Sequence, residues 1–395
     1  MIKLAIFATH PIQYQVPWFQ MLNLQQGIDL MIYYGFIPDA RQQGQDFGIS
    51  FKWDIPMLDG YQWKLLTNRS DFGNIKHFLG NFVQISKIFP QEIRKNADVI
   101  IITGWNALML WQVLLFCLFH RIPCIVRGDS NALRKRPYYI RCLHRILLAR
   151  FDAFLSLGQA NRKFYLQNGI NRHKIFLCPH FVDNQRFLLQ FKEVINKRRQ
   201  IRIAFGVPQD CLCFIYVGKL IAKKRIMDLL KALKSVRKKC LDVYLLVVGT
   251  GNLMSEAAQF VKKNHLPVTF AGFLNQSKIV DAYAASDCLV LPSDYGETWG
   301  LVVNEAMVCG LPAIVSDRVG CGPDLIENGV TGAVFPFGDI KALAAKMLSM
   351  KSEEKCRMMG VRARTQIIKR YSVQKAVRGT LIAVKMVIRN RSHRF

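Results

Sequence analysis

The chain has 395 residues, enough for two domains of ordinary size, and its 51% hydrophobic composition supports a full core. Fifty-five Lys and Arg stand against 27 Asp and Glu, a net charge of +28. Such a field attracts nucleic acid, anionic lipid or anionic substrate without choosing among them. Eleven cysteines are scattered without a Cys-x-x-Cys pair, which favours free thiols in a reducing compartment over a metal site or a disulfide framework.

Met1 to Phe7 is short and apolar and is followed by His10-Pro11, so it reads as a first strand and not a signal peptide. The first half then alternates. Strands are expected at Leu4–Ala8, Leu30–Tyr34, Val99–Thr103, Pro123–Arg127 and Phe154–Leu157, and a helix at Val16–Leu24. Ala107–Phe119 is the longest apolar run; it contains Gln112, falls short of the about 20 residues that cross a bilayer, and reads as a buried helix. Phe36–Asn81 is aromatic, Gly- and Asp-rich and weakly periodic, a loop-rich cover. Lys192–Arg202 is basic and breaks the pattern, as a linker would.

The second half repeats the alternation, with strands at Cys213–Val217, Tyr244–Val248, Val268–Phe270, Cys288–Leu291 and Ala313–Ser316. In the Ile226–Lys239 helix, Ile226, Leu229, Leu230 and Leu233 form an inward stripe. Asp339–Tyr371 is helical, and Lys375–Arg391 reads as a terminal helix. The alternation predicts an α/β chain with doubly wound sheets. The domains read as 1–190, a linker at 191–205, a second domain at 206–372, and a C-terminal helix at 373–395.

The chemistry concentrates in Asp287–Ser316, which reads strand, loop, helix, tight turn, strand. Glu305 sits on the mostly apolar Leu301–Val308 helix, where a carboxylate is costly unless something hydrogen-bonds it. The hydroxyls of a ribose would do so. Glu297 lies just before the helix, where the strand's carboxyl end opens into the crevice that binds ligands in open α/β sheets. The amides of Thr298, Trp299, Gly300, Leu301 and Val302 lie at the helix start and suit a phosphate there.

Glu297 and Glu305, with seven residues between them, Gly300-Leu301-Val302 inside the spacing and Ala306-Met307 after it, resemble the Glu-x7-Glu signature of retaining nucleotide-sugar glycosyltransferases. More narrowly the chain resembles glycosyltransferase family 4. Gly310-Leu311-Pro312 and Asn328-Gly329-Val330-Thr331-Gly332 match the same pattern, and the likeness covers most of 210–371. It implies the GT-B fold: two Rossmann-like domains facing a central cleft, with the terminal helix crossing back to the first. It also implies transfer of a sugar from a nucleotide-diphospho-sugar to a hydroxyl of a glycan or lipid-linked acceptor, with retention, in envelope or exopolysaccharide synthesis.

Gly218-Lys219-Leu220 followed by Lys224-Arg225 resembles the family's Gly-Arg-Leu…Lys-Gly pattern, whose cations contact the donor diphosphate. Lys219 stands where Arg is common, so the fork is lost and the point charge remains. Arg225 stands where Gly is common. The resemblance puts Glu297 on the donor sugar, Glu305 on the ribose, and the backbone of Ala271-Gly272-Phe273 at the nucleobase. With no Asp-x-Asp metal signature, fixed cations are expected in place of a metal, and no cofactor beyond the donor. Gly249-Thr250-Gly251 is either a phosphate turn or a structural one.

The first domain departs from the family pattern. His10 and Asp129 both follow expected strands and both are candidates to line the cleft; Asp129 reads equally as a helix cap. His180 and Asp183 read as structural. Arg134-Lys135-Arg136-Pro137-Tyr138-Tyr139 leads into a helix with Arg141, Arg145 and Arg150, a basic, aromatic-edged face suited to anionic headgroups. The expected setting is cytoplasmic, peripheral on the inner face of the cell membrane. The rival classes are another GT-B activity, a phosphorylase or epimerase, and a nucleic-acid binder; no basic-aromatic recognition motif backs the last.

Overall fold

The computed structural model of the protein describes residues 1–66, 93–94, 97–350 and 352–392. The chain divides into two units: Met1–Gln43, Pro56–His180 and Val373–Phe395 form one, Gly44–Ile55 and Phe181–Ser372 the other. Each is built on a parallel sheet.

The first sheet contains β1 (Ile2–Ala8), β2 (Ile28–Tyr34), β3 (Trp63–Leu65), β4 (Val99–Ile102), β5 (Cys124–Val126), β6 (Ala153–Ser156) and β7 (Ile175–Leu177), in the order β3-β2-β1-β4-β5-β6-β7. The second contains β8 (Leu212–Val217), β9 (Val243–Val248), β10 (Val268–Gly272), β11 (Cys288–Leu291), β12 (Ala313–Ser316) and β13 (Gly332–Phe335), in the order β10-β9-β8-β11-β12-β13. Every neighbouring pair runs parallel. This explains why the strands read as unbroken apolar runs: helices cover both faces, so nothing needs to alternate. Strand order reverses between β1 and β4 and again between β8 and β11. Each reversal splays two loops apart at the carboxyl end of its sheet and leaves a crevice.

The inward stripe of the Ile226–Arg237 helix, Ile226, Leu229, Leu230 and Leu233, is fully buried and joins Phe214, Leu245 and Val290 in the second unit's core. In the first unit the Leu108–His120 helix is only half buried: Met109, Leu110, Val113 and Cys117 face the core, while Leu115, Leu118 and Phe119 face solvent. The terminal Val373–Ser392 helix belongs to the first unit, where Trp18 Nε1 donates to Thr380 Oγ1 at 3.1 Å.

Two segments differ from the sequence expectation. Residues 191–205 are not an open linker; they lie in helices Asn184–Ile195 and Arg198–Ala204. Their basic residues do not solvate a tether. Arg202 is buried, donates to the carbonyls of Ala285, Pro208, Gln209 and Cys211, and pairs with Asp287 at 2.9 Å. Arg198 takes the other Asp287 oxygen at 2.6 Å. The second difference is Gly44–Ile55, which leaves the first unit's chain and packs with the second. It comes from the Phe36–Asn81 stretch, of which the part beyond residue 66 lies outside the described residues.

Asp287 also accepts from the amide of Cys213, so it ties the Arg198–Ala204 helix to the edge of β8. Asp287→Ala leaves the buried Arg202 cation without its counter-charge and is expected to cost about 3–5 kcal/mol in urea denaturation. A loss below about 1 kcal/mol would contradict this anchoring role.

Candidate active site

The site lies at the carboxyl ends of β8 and β11, the second unit's reversal point. β8 ends at Val217; Gly218 to Lys224 loop away, and Ala222–Lys224 forms a single tight turn before the Ile226–Arg237 helix. β11 ends at Leu291; Pro292 to Gly300 form the facing loop. The Asp294 amide donates to the Lys223 carbonyl at 2.9 Å, so the two loops are stitched by backbone. Beside this stitch Lys224 Nζ pairs with Glu297 Oε2, and the Ser293 hydroxyl donates to the same oxygen at 3.4 Å. Both members of the pair are about 15% exposed, side chains 16% and 14%, so the pair is shielded yet reachable.

Several glycines set this geometry. A side chain on Gly249 would overlap the Gly218 carbonyl, and one on Gly251 would meet the backbone of Leu220. Leu220 N donates to Thr250 O at 2.9 Å. Gly249-Thr250-Gly251 is therefore a structural turn that lets the loop after β9 lie flat against the loop carrying Lys219. Gly300 caps the Leu301–Val308 helix at φ +100°, where a side chain is strained, and it packs under Leu291 and Val319. Gly320 backs the Glu297–Gly300 loop: its amide donates to Glu297 O at 3.0 Å, and Cys321 N donates to Trp299 O at 2.9 Å. Trp299 is buried and its indole donates to Asn304 at 2.8 Å, fixing the helix entry that Thr298, Leu301 and Val302 frame.

Glu305 is 1% exposed and accepts from the Tyr283 hydroxyl at 2.7 Å. The carboxylate that the sequence left to a bound polyol thus has a protein partner, from the Ile279–Ala285 helix. Lys219 lies elsewhere: its ammonium sits over the Phe47 ring, 4.9 Å from the centroid. Phe47 belongs to the Gly44–Ile55 segment, whose Phe51 ring lies tilted against Phe273 with 4.2 Å between centroids. The segment is fastened by Asn275, which donates to Lys52 O at 2.7 Å, and by Asp54, which accepts from Ser277. The Gly272 carbonyl at the end of β10 accepts from Gly249 N at 2.7 Å.

Arg225 has φ +59°. This left-handed conformation explains why the family carries Gly here; Arg holds it through an ion pair to Asp228 at 2.7 Å and by lying over Phe337. Arg318 is clamped between Phe337, at 3.9 Å, and Tyr295, at 4.4 Å. Tyr283, Ser293, Arg318 and the Phe47 segment were missed in the sequence. A polar-tipped aromatic facing a buried carboxylate would have flagged Tyr283; no local signal marks the segment.

Of the first-unit candidates, His10 lies next to β1, with Nδ1 3.0 Å from Thr9 Oγ1 and its ring on Phe36. Asp129 is not a helix cap, because the Tyr138–Leu148 helix starts behind Pro137 without a side-chain cap. Asp183 caps the Asn184–Ile195 helix by accepting from Arg186 N. His180 lies beside the buried Arg127. Among the described residues no group of three or more His, Cys, Asp or Glu could hold a metal ion.

Two parallel sheets of this order, each with its reversal point, define a doubly wound α/β class. Against solved structures the fold is that of GT-B glycosyltransferases. A glycosyltransferase from Rickettsia africae superposes with a TM-score of 0.74 at 16% identity, covering 98% of this chain and 99% of that one. The Anabaena protein HepE, solved with UDP and glucose, gives 0.69 at 17% identity over 99% and 100%. Residues 197–366 match the family described as glycosyl transferases group 1 and are a domain of that family. The sulfoquinovosyl transferase of Arabidopsis thaliana is 31% identical over 292 residues, 72% of this chain and 54% of that protein. The chain spans about half the length of the first curated relatives it matches, 46% and 54%.

Burial lowers His10 from 6.5 to about 4, and burial together with Arg127 pushes His180 well below 6.5. The unfolded chain binds these protons first. Their contribution to stability is therefore whole above pH 6.5 and is lost as pH falls toward 4. The urea midpoint is expected to drop between about pH 7 and pH 5, and to drop less in His10→Gln. An equal drop in that variant would contradict the burial of His10.

Proposed function

We propose that the protein is a retaining glycosyltransferase that moves a sugar from a nucleotide-diphospho-sugar to a hydroxyl of a glycan or lipid-linked acceptor. The observation that carries this is the Lys224–Glu297 pair beside the glycine-capped helix. The cation neutralises a carboxylate that is otherwise repelled by an arriving diphosphate. When the donor enters, Lys224 passes to the phosphate, and Glu297 turns to a hydroxyl of the donor sugar. The HepE complex with UDP and glucose and the group 1 match over 197–366 support a donor in this unit.

Breaking the bond between the anomeric carbon and the diphosphate oxygen builds negative charge on the leaving group. We assign the offset of this charge to Lys224 and the amides around Thr298–Val302, with Lys219 joining them when it leaves the Phe47 ring. The acceptor oxygen forms the new bond on the same face, and its proton goes to the departing phosphate oxygen. Glu305, set by Tyr283, takes the ribose. Tyr216 keeps its hydroxyl proton, since burial and the Glu297 charge both raise it, and it donates to Lys219 O at 3.0 Å, holding the loop from which Lys219 reaches. The expected setting is the cytoplasmic side of the cell membrane, in envelope or exopolysaccharide synthesis.

A thermal-shift panel of nucleotide sugars identifies the donor by the rise in unfolding temperature. With that donor, Lys224→Ala and Glu297→Gln are each expected to lower transfer by about 10²–10³ with unchanged unfolding midpoints. Full activity in either variant would overturn the assignment. So would release of sugar phosphate from a glycan by inorganic phosphate alone, the mark of a phosphorylase.

A further inference from the structure

The first unit has a cavity that no part of the proposed transfer chemistry uses. It is about 550 Å³ and lies at the amino ends of β5–β7, the end of the sheet opposite His10 and Asp129. Arg121, Arg150, Lys174 and Arg391 line it, with Ile122 and Phe151 as an apolar wall. Its one carboxylate, Asp152, is engaged by the Cys124 amide at 2.9 Å. Among the described residues Arg121, Arg150 and Lys174 have no ion-pair partner. Arg121 closes the Leu108–His120 helix at φ +53°, a position that Gly fills without strain and that here carries a cation to the cavity rim.

The rim is apolar in an unusual way. The Leu108–His120 helix ends on exposed Leu115 (63%), Leu118 (43%) and Phe119 (83%), at positions i, i+3 and i+4 of one face. The Tyr138–Leu148 helix exposes Tyr139 (65%), Leu143 (59%) and Ile146 (61%), again one stripe, with Arg141 and Arg145 exposed beside it. Leu118 at the end of the first helix and Ala149-Arg150 after the second line the same cavity, so both helices end at it. Apolar side chains exposed as stripes, rather than singly, mark a contact surface for a non-aqueous partner, and the cations beside them suit an anion.

We propose that this face docks on an anionic phospholipid bilayer, with a lipid phosphate seated among Arg121, Arg150 and Lys174 while Phe119, Leu143 and Ile146 enter the acyl boundary. A free phosphate accounts for the cations but leaves the apolar stripes unexplained; a bilayer satisfies both. The stripe on the Tyr138–Leu148 helix runs from the carboxyl end of the sheet, where Asp129 lies, to the amino end, so docking leaves the carboxyl-end loops beside the membrane surface.

The test is flotation of the full chain with vesicles of phosphatidylcholine alone or with added phosphatidylglycerol, in about 0.15 M salt to screen the field of the whole molecule. The protein is expected to float only with phosphatidylglycerol. Arg121→Glu/Arg150→Glu is expected to lose about tenfold or more of that binding, and Phe119→Ser/Ile146→Ser to lose a similar share without any change of charge. Lys231→Glu/Lys234→Glu carries the same charge change on the second unit and is expected to bind as the parent does. Equal loss in that control, or no loss in Phe119→Ser/Ile146→Ser, would overturn the proposal. Unfolding midpoints and donor turnover, measured on every variant, separate this surface from the transfer site.

Discussion

The candidate site depends on one ion pair, Lys224 with Glu297, made between loops that leave β8 and β11 in opposite directions. Two loops at a strand-order reversal diverge, and nothing in the sheet itself holds their tips together. Here the Asp294–Lys223 backbone bond fixes their separation, and the ion pair sits on it. In the proposed reaction the pair is a local charge balance that a phosphate exchanges into. On that proposal the cation is in place and partly shielded before the donor arrives, so little reorganisation is needed as negative charge develops.

The rest of the unit keeps that pair in place. Gly249 and Gly251 let the loop after β9 lie against the Gly218–Leu220 backbone, and Gly320 does the same for Thr298 from the other side. Each contact is backbone on backbone, with no space for a methyl group. Behind them Asp287 joins the Arg198–Ala204 helix to β8, and Tyr283 supports Glu305 from the Ile279–Ala285 helix. The Gly44–Ile55 segment adds an aromatic wall, with Phe47 on Lys219 and Phe51 on Phe273. The Lys219 ammonium lies over the Phe47 ring as a cation–π contact.

Much of this was legible in the sequence, for identifiable reasons. Parallel strands are buried on both faces, so β1, β4, β8 and β11 appear as short apolar runs, and the alternation with helices follows. A glutamate among Val302, Val303, Ala306 and Met307 signals that a partner must be present, because burial of a lone carboxylate is costly, and Tyr283 is that partner here. Other features were hidden by equally physical causes. Arg198 and Arg202 look like a solvated basic run because their partner, Asp287, is far along the chain. Tyr283 looks like core until the carboxylate beside it is known. The docking of residues 44–55 depends on Asp54 meeting Ser277, a pairing that no local periodicity records. Arg225 showed only that a glycine was missing; its φ of +59° shows why the position matters.

The most direct measurement of the central claim is hydrogen–deuterium exchange with and without a nucleoside diphosphate. The account predicts slowed exchange in peptides covering 218–226 and 294–303, the two loops that the Lys224–Glu297 pair joins, and no change around 121 and 150. Unchanged exchange in either loop under saturating nucleotide would contradict it, as would protection confined to the first unit.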